Sequence, residues 1–289
     1  VEKELGITKE DIGTKISVEE YNEACKKAVM RYTVIWNDMT RKTALITGAT
    51  SGIGKATAME LAKENFNLIL CGRRQQRLDD LKTELSKITK VHTLSFDVRH
   101  KDEVKTALES LPEAFQQIDI LINNAGNAHG LDPIQEGSTE DWDAMLDINV
   151  KGLLYVSKQI IPQMIERGNG HIINIGSTAG KEVYPKGNVY CASKHAVDAI
   201  TQGMRIDLNG TGVKVGGINP GLVETEFSEV RFKGDSEKAA KVYQGFEPLK
   251  PEDIADIIKF VVTRPYHVNI ADLIVMCTAQ ASSTIVDKK

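Results

Sequence analysis

Residues 43–54 have the sequence Thr-Ala-Leu-Ile-Thr-Gly-Ala-Thr-Ser-Gly-Ile-Gly, an apolar run followed directly by a glycine-rich turn. The run predicts a buried strand and the residues after the turn predict a helix. The glycines allow a tight turn, close approach of the backbone to a pyrophosphate and close packing of helix on strand. The alternative is an ordinary turn, but the position of the glycine-rich segment between a strand and a helix favours dinucleotide binding. The predicted contacts are Gly48, Thr50, Ser51, Gly52, Ile53 and Gly54.

Short apolar strands alternate with longer helical stretches through the rest of the chain, as in βαβ units of a parallel sheet. Residues 39–289 are therefore predicted to form one α/β domain, a doubly wound Rossmann-type fold with a seven-stranded parallel sheet. Residues 223–249 fit neither a strand nor a long helix. Strands are predicted at 43–47, 67–71, 91–95, 118–122, 170–175, 213–218 and 272–276, and helices at 53–65, 75–88, 101–110, 139–166, 188–209 and 251–263.

Composition narrows the class of protein. The 289 residues are 41% hydrophobic and 26% charged, which is typical of a globular protein. No apolar run approaches the roughly 18 residues of a membrane span, so we expect no membrane partner and a cytoplasmic location. A net charge of -4 argues against a nucleic-acid partner. Four scattered cysteines, without CxxC spacing, suggest neither a disulfide framework nor a metal site.

Residues 1–38 differ from the rest of the chain. Residues 16–37 are predicted to be helical, with Ser17 as N-cap and Glu20 completing a capping box. The segment from Glu4 to Asp38 resembles part of the catalytic domain of bacterial isoleucyl-tRNA synthetases, but neither ATP-binding signature of that class, HIGH or KMSKS, occurs in the chain. We therefore predict an N-terminal extension without function here, a fused fragment, with Met39 as a plausible native start.

The end of the second predicted strand indicates which dinucleotide is bound. It has the sequence Leu70-Cys71-Gly72-Arg73-Arg74, without the Asp or Glu that usually holds the ribose 2′-hydroxyl of NAD. A carboxylate would repel a 2′-phosphate, whereas the guanidinium groups of Arg73 or Arg74 would bind one. The sequence therefore predicts NADP as the cofactor. The alternative is that both arginines simply begin a solvated helix.

Two further strand ends carry candidate cofactor contacts, because open α/β sheets bind ligands at the carboxyl ends of their strands. Asp97 and Val98 follow the third strand and are predicted to contact the adenine edge. Asn124, Ala125 and Gly126 follow the fourth and are predicted to form a wall against the adenosine ribose. Both segments are also typical of ordinary turns.

Four polar residues form the candidate catalytic set. Tyr190 and Lys194 lie four residues apart, on one face of a predicted helix. Ser177 follows the fifth strand, and Asn149 lies within the long helix before it. Taken singly, Tyr190 and Lys194 fit an ordinary amphipathic helix, and Asn149 fits a hydrogen-bonded core amide.

Together with the TGxxxGIG and NNAG motifs, the order Asn, Ser, Tyr, Lys resembles the short-chain dehydrogenase/reductase family over residues 41–286. The resemblance implies hydride transfer, with Tyr190 as general acid/base and Ser177 orienting the substrate oxygen. A lysine ammonium near a phenol lowers the pKa of the phenol, so Lys194 is interpreted as the electrostatic partner of Tyr190 and as a ribose anchor. Asn149 is interpreted as the holder of a water relay.

The segment after the sixth strand indicates the substrate. The resemblance to the short-chain dehydrogenase/reductase family implies that Pro220, Gly221, Val223 and Thr225 contact the nicotinamide end of the cofactor. The sequence of residues 220–243 resembles that of the NADP-dependent 3-hydroxy acid dehydrogenases. This resemblance implies a homotetramer and a substrate such as L-serine, L-allo-threonine, 3-hydroxyisobutyrate or 3-hydroxypropionate. Arg231 is predicted to bind the substrate carboxylate, unless it faces solvent or a neighbouring subunit.

Other functions stay open at this point. A 3-oxoacyl-carrier-protein reductase of the same family would require a basic docking surface and a less polar substrate loop. A non-catalytic NADP-binding regulator would not need all four catalytic side chains. A tRNA-binding fragment is disfavoured by the acidic balance.

Overall fold

The computed structural model describes residues 41–289 and, before them, residues 17, 19, 20, 22, 23, 25 and 26. The chain divides into two units, Val1–Arg41 and Lys42–Lys289. In the first unit the predicted capping box is present, because Ser17 Oγ accepts from the Glu20 backbone N–H at 3.1 Å and the Ser17 N–H donates to Glu20 Oε2 at 2.8 Å. The remainder of the predicted 16–37 helix lies largely outside the described residues.

The second unit is built on a seven-stranded sheet in which every neighbouring pair of strands is parallel. The spatial order is β3-β2-β1-β4-β5-β6-β7, which confirms the predicted doubly wound fold. The strands are β1 (Thr43–Thr47), β2 (Asn67–Gly72), β3 (Val91–Ser95), β4 (Ile120–Asn123), β5 (Gly170–Ile175), β6 (Val213–Pro220) and β7 (Asp272–Val275).

Helices cover both faces of this sheet. All six predicted helical regions are present, and α4, α8 and α9 are short additions. The helices are α1 (Gly52–Lys63), α2 (Gln75–Leu85), α3 (Lys101–Glu109), α4 (Glu113–Gln116), α5 (Thr139–Leu146), α6 (Leu153–Glu166), α7 (Asn188–Asp207), α8 (Phe227–Arg231), α9 (Ser236–Val242) and α10 (Pro251–Val262). Within the described part of the chain, no helix combines the length and the apolarity needed to cross a membrane.

Successive side chains of β1 belong to opposite cores, as the two-residue period of a strand requires. Ala44 and Ile46 join a core that includes residues of α1 and α10, whereas Leu45 joins a second core that includes residues of α3 and α6. All five residues of β1 are buried. Both faces of the strand are therefore covered, which explains its continuous apolar sequence.

The long helix predicted at 139–166 is present without a break. Its middle segment, Asp147–Gly152, between α5 and α6, is π-helical rather than α-helical. Asn149 lies in this segment and is 2% exposed. π-Helical turns are rare and often occur at functional sites, and the apolar sequence pattern carries no signal that distinguishes them from α-helix.

Residues 223–249 form a flap that returns to its own starting point. Val223 and Leu249 form an isolated bridge at its base, where the Glu224 N–H donates to the Leu249 carbonyl at 2.8 Å. The flap contains α8 and α9. The prediction that this stretch holds neither a strand nor a long helix agrees with these two short helices.

Candidate active site

A cleft of about 530 Å³ opens at the carboxyl edge of the sheet, where the strand order reverses between β1 and β4. It brings together nearly every residue that the sequence predicted for cofactor, catalysis or substrate. Gly54 and Asn149 lie behind the cleft wall rather than on it. The predicted residues that line it are Gly48, Thr50, Ser51, Gly52, Ile53, Arg73, Arg74, Asp97, Val98, Asn124, Ala125, Gly126, Ser177, Tyr190, Lys194, Pro220, Gly221, Val223, Thr225 and Arg231.

The turn after β1 requires glycine for two different reasons. Gly48 and Gly52 have φ values of +66° and +49°, which favour glycine. Gly54 instead faces a close contact, because a Cβ there would lie 2.3 Å from the Gly48 carbonyl oxygen and 2.5 Å from Asn124 Nδ2. Helix α1 therefore packs directly on the turn that precedes it.

Asn124 connects this turn to the end of β4. Its Nδ2 donates to the Thr47 carbonyl at 2.9 Å and to the Gly48 carbonyl at 3.3 Å. Thr47 Oγ1 accepts from the backbone N–H groups of Asn124 and Ala125, both at 3.0 Å. These bonds fix the walls of the cleft on both sides of the strand-order reversal.

The arrangement fits a bound dinucleotide. Ser51 is the N-cap of α1, and its side chain makes no capping hydrogen bond to the helix. The N–H groups in the first turn of a helix have no intrahelical acceptor, so this end of α1 suits the phosphate oxygens of a dinucleotide.

Arg74 is already heavily engaged in this structure. Its Nε and Nη2 donate to Thr50 Oγ1 at 3.1 and 2.9 Å, and Nη2 also donates to Ser51 Oγ at 2.7 Å. Its Nη1 pairs with Glu226 Oε2 at 2.8 Å. Arg73 is more open, with a 58% exposed side chain and one 3.4 Å contact to Asp97 Oδ2. A 2′-phosphate at this position would meet Arg73 directly and would share Arg74 with the glycine turn.

Asp97, which was predicted to read the adenine edge, is tied to its own loop. Its Oδ2 accepts from Arg99 Nη2 at 2.7 Å and from Arg99 Nε at 3.0 Å. Partial burial raises the pKa of Asp97, but the hydrogen bonds and charge of Arg99 outweigh it, and the pKa is lower than usual. The carboxylate is therefore ionised and largely occupied, and adenine recognition by this residue stays a prediction.

Tyr190 and Lys194 lie on the buried face of α7, one turn apart, and are 8% and 7% exposed. Lys194 Nζ donates to the Ile175 carbonyl at 2.9 Å. Burial lowers the pKa of Lys194 to about 8. Burial also raises the pKa of Tyr190, and the hydrogen bond with Ser177 and the charge of Arg231 oppose that increase only in part.

The effect of Lys194 on the pKa of Tyr190 stays a prediction, because the structure gives a different source for the positive charge near the phenol. The lysine is directed to the end of β5, and the cation that lowers the pKa of the phenol here is Arg231. The phenol keeps its proton at neutral pH, which is the form that a general acid needs.

Asn149 lies behind Gly126 and holds the loop after β4. Its Oδ1 accepts from the Asn127 N–H at 2.8 Å, and its Nδ2 donates to the Asn127 carbonyl at 2.8 Å and to Ser193 Oγ at 3.0 Å. A Cβ at Gly126 would lie 3.1 Å from Asn149 Oδ1 and 3.6 Å from Lys194 Nζ. The amide therefore positions the loop after β4, and the role of Asn149 in a water relay stays a prediction.

A family model described as short chain dehydrogenase matches residues 42–236. The chain belongs to the short-chain dehydrogenase family. Its relatives include the NADP-dependent 3-hydroxy acid dehydrogenase YdfG of Salmonella typhi, 47% identical over 238 residues that cover 82% of this chain and 95% of the relative. Sulfoacetaldehyde reductase 2 of Chromohalobacter salexigens is 46% identical over 240 residues, which cover 83% of this chain and 95% of that protein.

Solved structures agree with this assignment. The closed form of serine dehydrogenase complexed with NADP+ superposes with a TM-score of 0.81 at 45% identity, covering 86% of this chain and 99% of that one. The short-chain dehydrogenase family was therefore identified correctly from its motifs, and so was the group of 3-hydroxy acid dehydrogenases among its relatives.

In this short-chain dehydrogenase the flap places a cation over the predicted catalytic tyrosine. The guanidinium carbon of Arg231 lies 5.4 Å from the ring centre of Tyr190 and 5.5 Å from that of Tyr184. Arg231 Nη2 donates to Tyr184 Oη at 2.8 Å, and its Nε donates to the Gly130 carbonyl at 3.3 Å. The half-buried guanidinium is held between two aromatic rings at the edge of the cleft.

Several side chains of the site were missed by sequence reasoning. Tyr184 and Glu226 line the cleft, and so does Gln280 from the C-terminal segment. Gln280 Oε1 accepts from the Leu222 N–H at 2.9 Å and so supports the loop after β6. Tyr184 belongs to no recognisable motif, and Gln280 is distant in sequence from every motif that was used. Glu226 lies within the 220–243 stretch, but no role was assigned to it there.

Proposed function

We propose that this short-chain dehydrogenase uses NADP to interconvert a small 3-hydroxy acid and the corresponding oxo acid. The observation that carries the proposal is Arg231. Within residues 41–289 no carboxylate lies within salt-bridge distance of its half-buried guanidinium, and yet the group lines the cleft beside Tyr190. A guanidinium without a counter-ion beside the reacting atoms suits a substrate that carries its own anionic group.

The roles of the chain's own residues follow from their environments. Tyr190 donates its phenolic proton to the carbonyl oxygen during reduction and takes it back during oxidation. Ser177 donates a hydrogen bond to the same oxygen and orients it. When bound, NADP supplies or accepts the hydride at its nicotinamide ring. Lys194, whose pKa of about 8 reflects its burial, offers its remaining protons to ribose hydroxyls beside Gly126.

Residues Arg73 and Arg74 support the choice of NADP over NAD. Their positively charged groups lie where β2 ends, and Arg73 is exposed to the cleft. The names of the 3-hydroxy acid dehydrogenase relative and of the serine dehydrogenase complex also contain NADP. A small sulfonate is the second candidate substrate, because one relative is a sulfoacetaldehyde reductase and a sulfonate would satisfy the same guanidinium.

The test is NADP reduction, followed at 340 nm, with L-serine, 3-hydroxypropionate, 3-hydroxyisobutyrate and 2-hydroxyethanesulfonate. Methyl 3-hydroxypropionate serves as a neutral analogue of matched shape. We expect at least one acid to be oxidised with a kcat/KM at least about tenfold above that of the ester, which corresponds to one charge-assisted hydrogen bond. Equal activity on acid and ester would refute the role of the anionic group.

Arg231→Met should remove most of this preference by raising the KM of the acid, while the KM of the ester stays unchanged. Lys233→Met is the matched control. Lys233 is another cation of the flap, two residues from Arg231, but it is 62% exposed and pairs with Asp141 at 2.9 Å. If the preference for the acid is lost in Lys233→Met and kept in Arg231→Met, the substrate carboxylate binds at Lys233 and not at Arg231 beside Tyr190.

The proposal includes a homotetramer in a reducing, cytoplasmic compartment. Leu146 of α5, Leu154 of α6 and Ile206 of α7 are 38%, 40% and 74% exposed, and contacts between subunits would bury this apolar surface. All four cysteines are free thiols, as is common in a reducing compartment. Light scattering after size-exclusion chromatography should give about four times the mass of one chain, and a monomer would refute this part.

A further inference from the structure

Helix α8 has its two ends at opposite sides of the cleft. Glu226 immediately precedes its first residue and faces the glycine turn and α2. Arg231 is its last residue and lies over the ring of Tyr190. A helix is a stiff element, so the contact at one end constrains the position of the side chain at the other.

Glu226 is held by two arginines on α2 and its N-terminal boundary. Its Oε2 pairs with Arg74 Nη1 at 2.8 Å and its Oε1 with Arg77 Nη1 at 2.6 Å. Partial burial raises the pKa of Glu226, but the hydrogen bonds and charges of both arginines outweigh it and hold the pKa below its ordinary value. The carboxylate is thus ionised at neutral pH. Arg74, Arg77 and Glu226 are called the clasp below.

Other contacts fix the remaining sides of the flap. At its base Val223 bridges Leu249, and at the substrate side the Gly130 N–H donates to the Arg231 carbonyl at 3.0 Å. Over the glycine turn, Thr225 Cγ2 would lie 3.2 Å from a Cβ placed on Gly52. The clasp adds an ionic contact from the flap to the arginine pair predicted to hold the 2′-phosphate.

We infer that Glu226 is a positioning residue, which through the clasp holds α8 so that Arg231 stays over Tyr190 and the flap stays closed over the cofactor. The inference rests on the NADP-dependent function proposed above. Arg74 would be shared with a 2′-phosphate, whereas Arg77 is free to keep its pairing with Glu226. The clasp therefore persists when the cofactor is bound, and it connects the phosphate end of the cleft to the substrate end.

Loss of the clasp should loosen both ends of α8. The side chains involved are 39–46% exposed, so each ion pair is weak. For Glu226→Gln we expect NADPH to dissociate about threefold to tenfold faster and the KM of the 3-hydroxy acid to rise by a similar factor. The KM of methyl 3-hydroxypropionate should change by less than about twofold, because the ester does not need the charge of Arg231.

Glu237→Gln is the matched control. It removes the same charge from the same flap, but Glu237 pairs with Lys241 at 2.6 Å within α9 and has no role in the clasp. Arg77→Gln should change the NADPH dissociation rate and the KM of the acid in the same direction as Glu226→Gln, but by less. The double variant should behave like Glu226→Gln alone, because both changes break the same ion pair. Melting temperatures show whether each variant is folded.

Dissociation of NADPH is measured by stopped-flow fluorescence, and flap opening by the rate of tryptic cleavage after Arg231 and Lys233. Faster dissociation, faster cleavage and a KM increase confined to the acid would support the inference. If Glu226→Gln behaves like Glu237→Gln, or if acid and ester change equally, the inference is overturned. If the unaltered protein binds no NADPH or oxidises no hydroxy acid, the proposed function fails instead, so the two failures are distinguishable.

Discussion

Gly54→Ala tests the close packing of helix α1 on the glycine turn. The new methyl group would lie 2.3 Å from the Gly48 carbonyl oxygen, about 1 Å closer than an ordinary van der Waals contact. Neither the backbone of Gly48 nor the hydrogen-bonded amide of Asn124 can yield cheaply. Forcing extra volume into such a site costs about 1–3 kcal/mol, which is a fall of about 2–10 °C in Tm for a domain of this size. Relief of the clash displaces the turn, so we also expect NADPH binding to weaken by about tenfold or more.

Gly203→Ala is the matched control for this change. Gly203 lies inside α7, and a Cβ there would have no heavy atom within 4 Å apart from the neighbouring backbone of its own helix. Alanine is a better helix former than glycine, so this variant should be stabilised by about 0.5–1 kcal/mol without any effect on cofactor binding. The assays are thermal unfolding and NADPH fluorescence titration. Wild-type Tm and wild-type affinity in Gly54→Ala would refute the close contact between α1 and the turn.

Three further predictions concern other parts of the chain. Burial lowers the pKa of His171 to about 3, below its unfolded value of about 6.5, so the protein loses stability as the pH falls from 6.5 towards 3. Between pH 7 and pH 5, the free energy of unfolding should fall by about 2 kcal/mol more in the unaltered protein than in His171→Leu, as measured by urea denaturation. Parallel pH profiles of the two proteins would contradict this. Arg73→Asp should reduce the ratio of NADP to NAD affinity by at least about tenfold, and an unchanged ratio would mean that another residue binds the phosphate. Deletion of residues 1–38 should leave activity and Tm nearly unchanged, and a large loss of either would assign the segment a role.

The parts of the fold that sequence could predict are those set by local pattern. The strand at 43–47 could be predicted because its apolar residues are all buried, and the adjoining turn because Gly48 and Gly52 have backbone angles that favour glycine. The predicted strand at 118–122 begins at Ile120 in the structure, since pairing with β1 determines the register rather than the apolar run alone. The π-helical segment around Asn149 leaves no trace in a hydrophobic pattern.

The predictable parts of the site are the motif residues at strand ends, because parallel strands bring their carboxyl ends to one edge. What could not be predicted depends on contacts between distant segments. Glu226 pairs with arginines about 150 positions away, and Tyr184 reaches Arg231 across the cleft. The direction in which Lys194 points also depends on the carbonyl of Ile175, so its assumed effect on the pKa of Tyr190 could not be tested from spacing alone.

The most direct test of the central claim is turnover by Tyr190→Phe, measured beside NADPH binding. The change removes the phenolic oxygen and keeps the ring that packs against Phe227 at a centroid distance of 5.6 Å. We expect kcat for the 3-hydroxy acid to fall by about a hundredfold or more, the contribution of a positioned acid/base group, while NADPH affinity stays within about threefold. Turnover within tenfold of the unaltered protein, with NADPH bound normally, would contradict the assignment of Tyr190 as the acid/base.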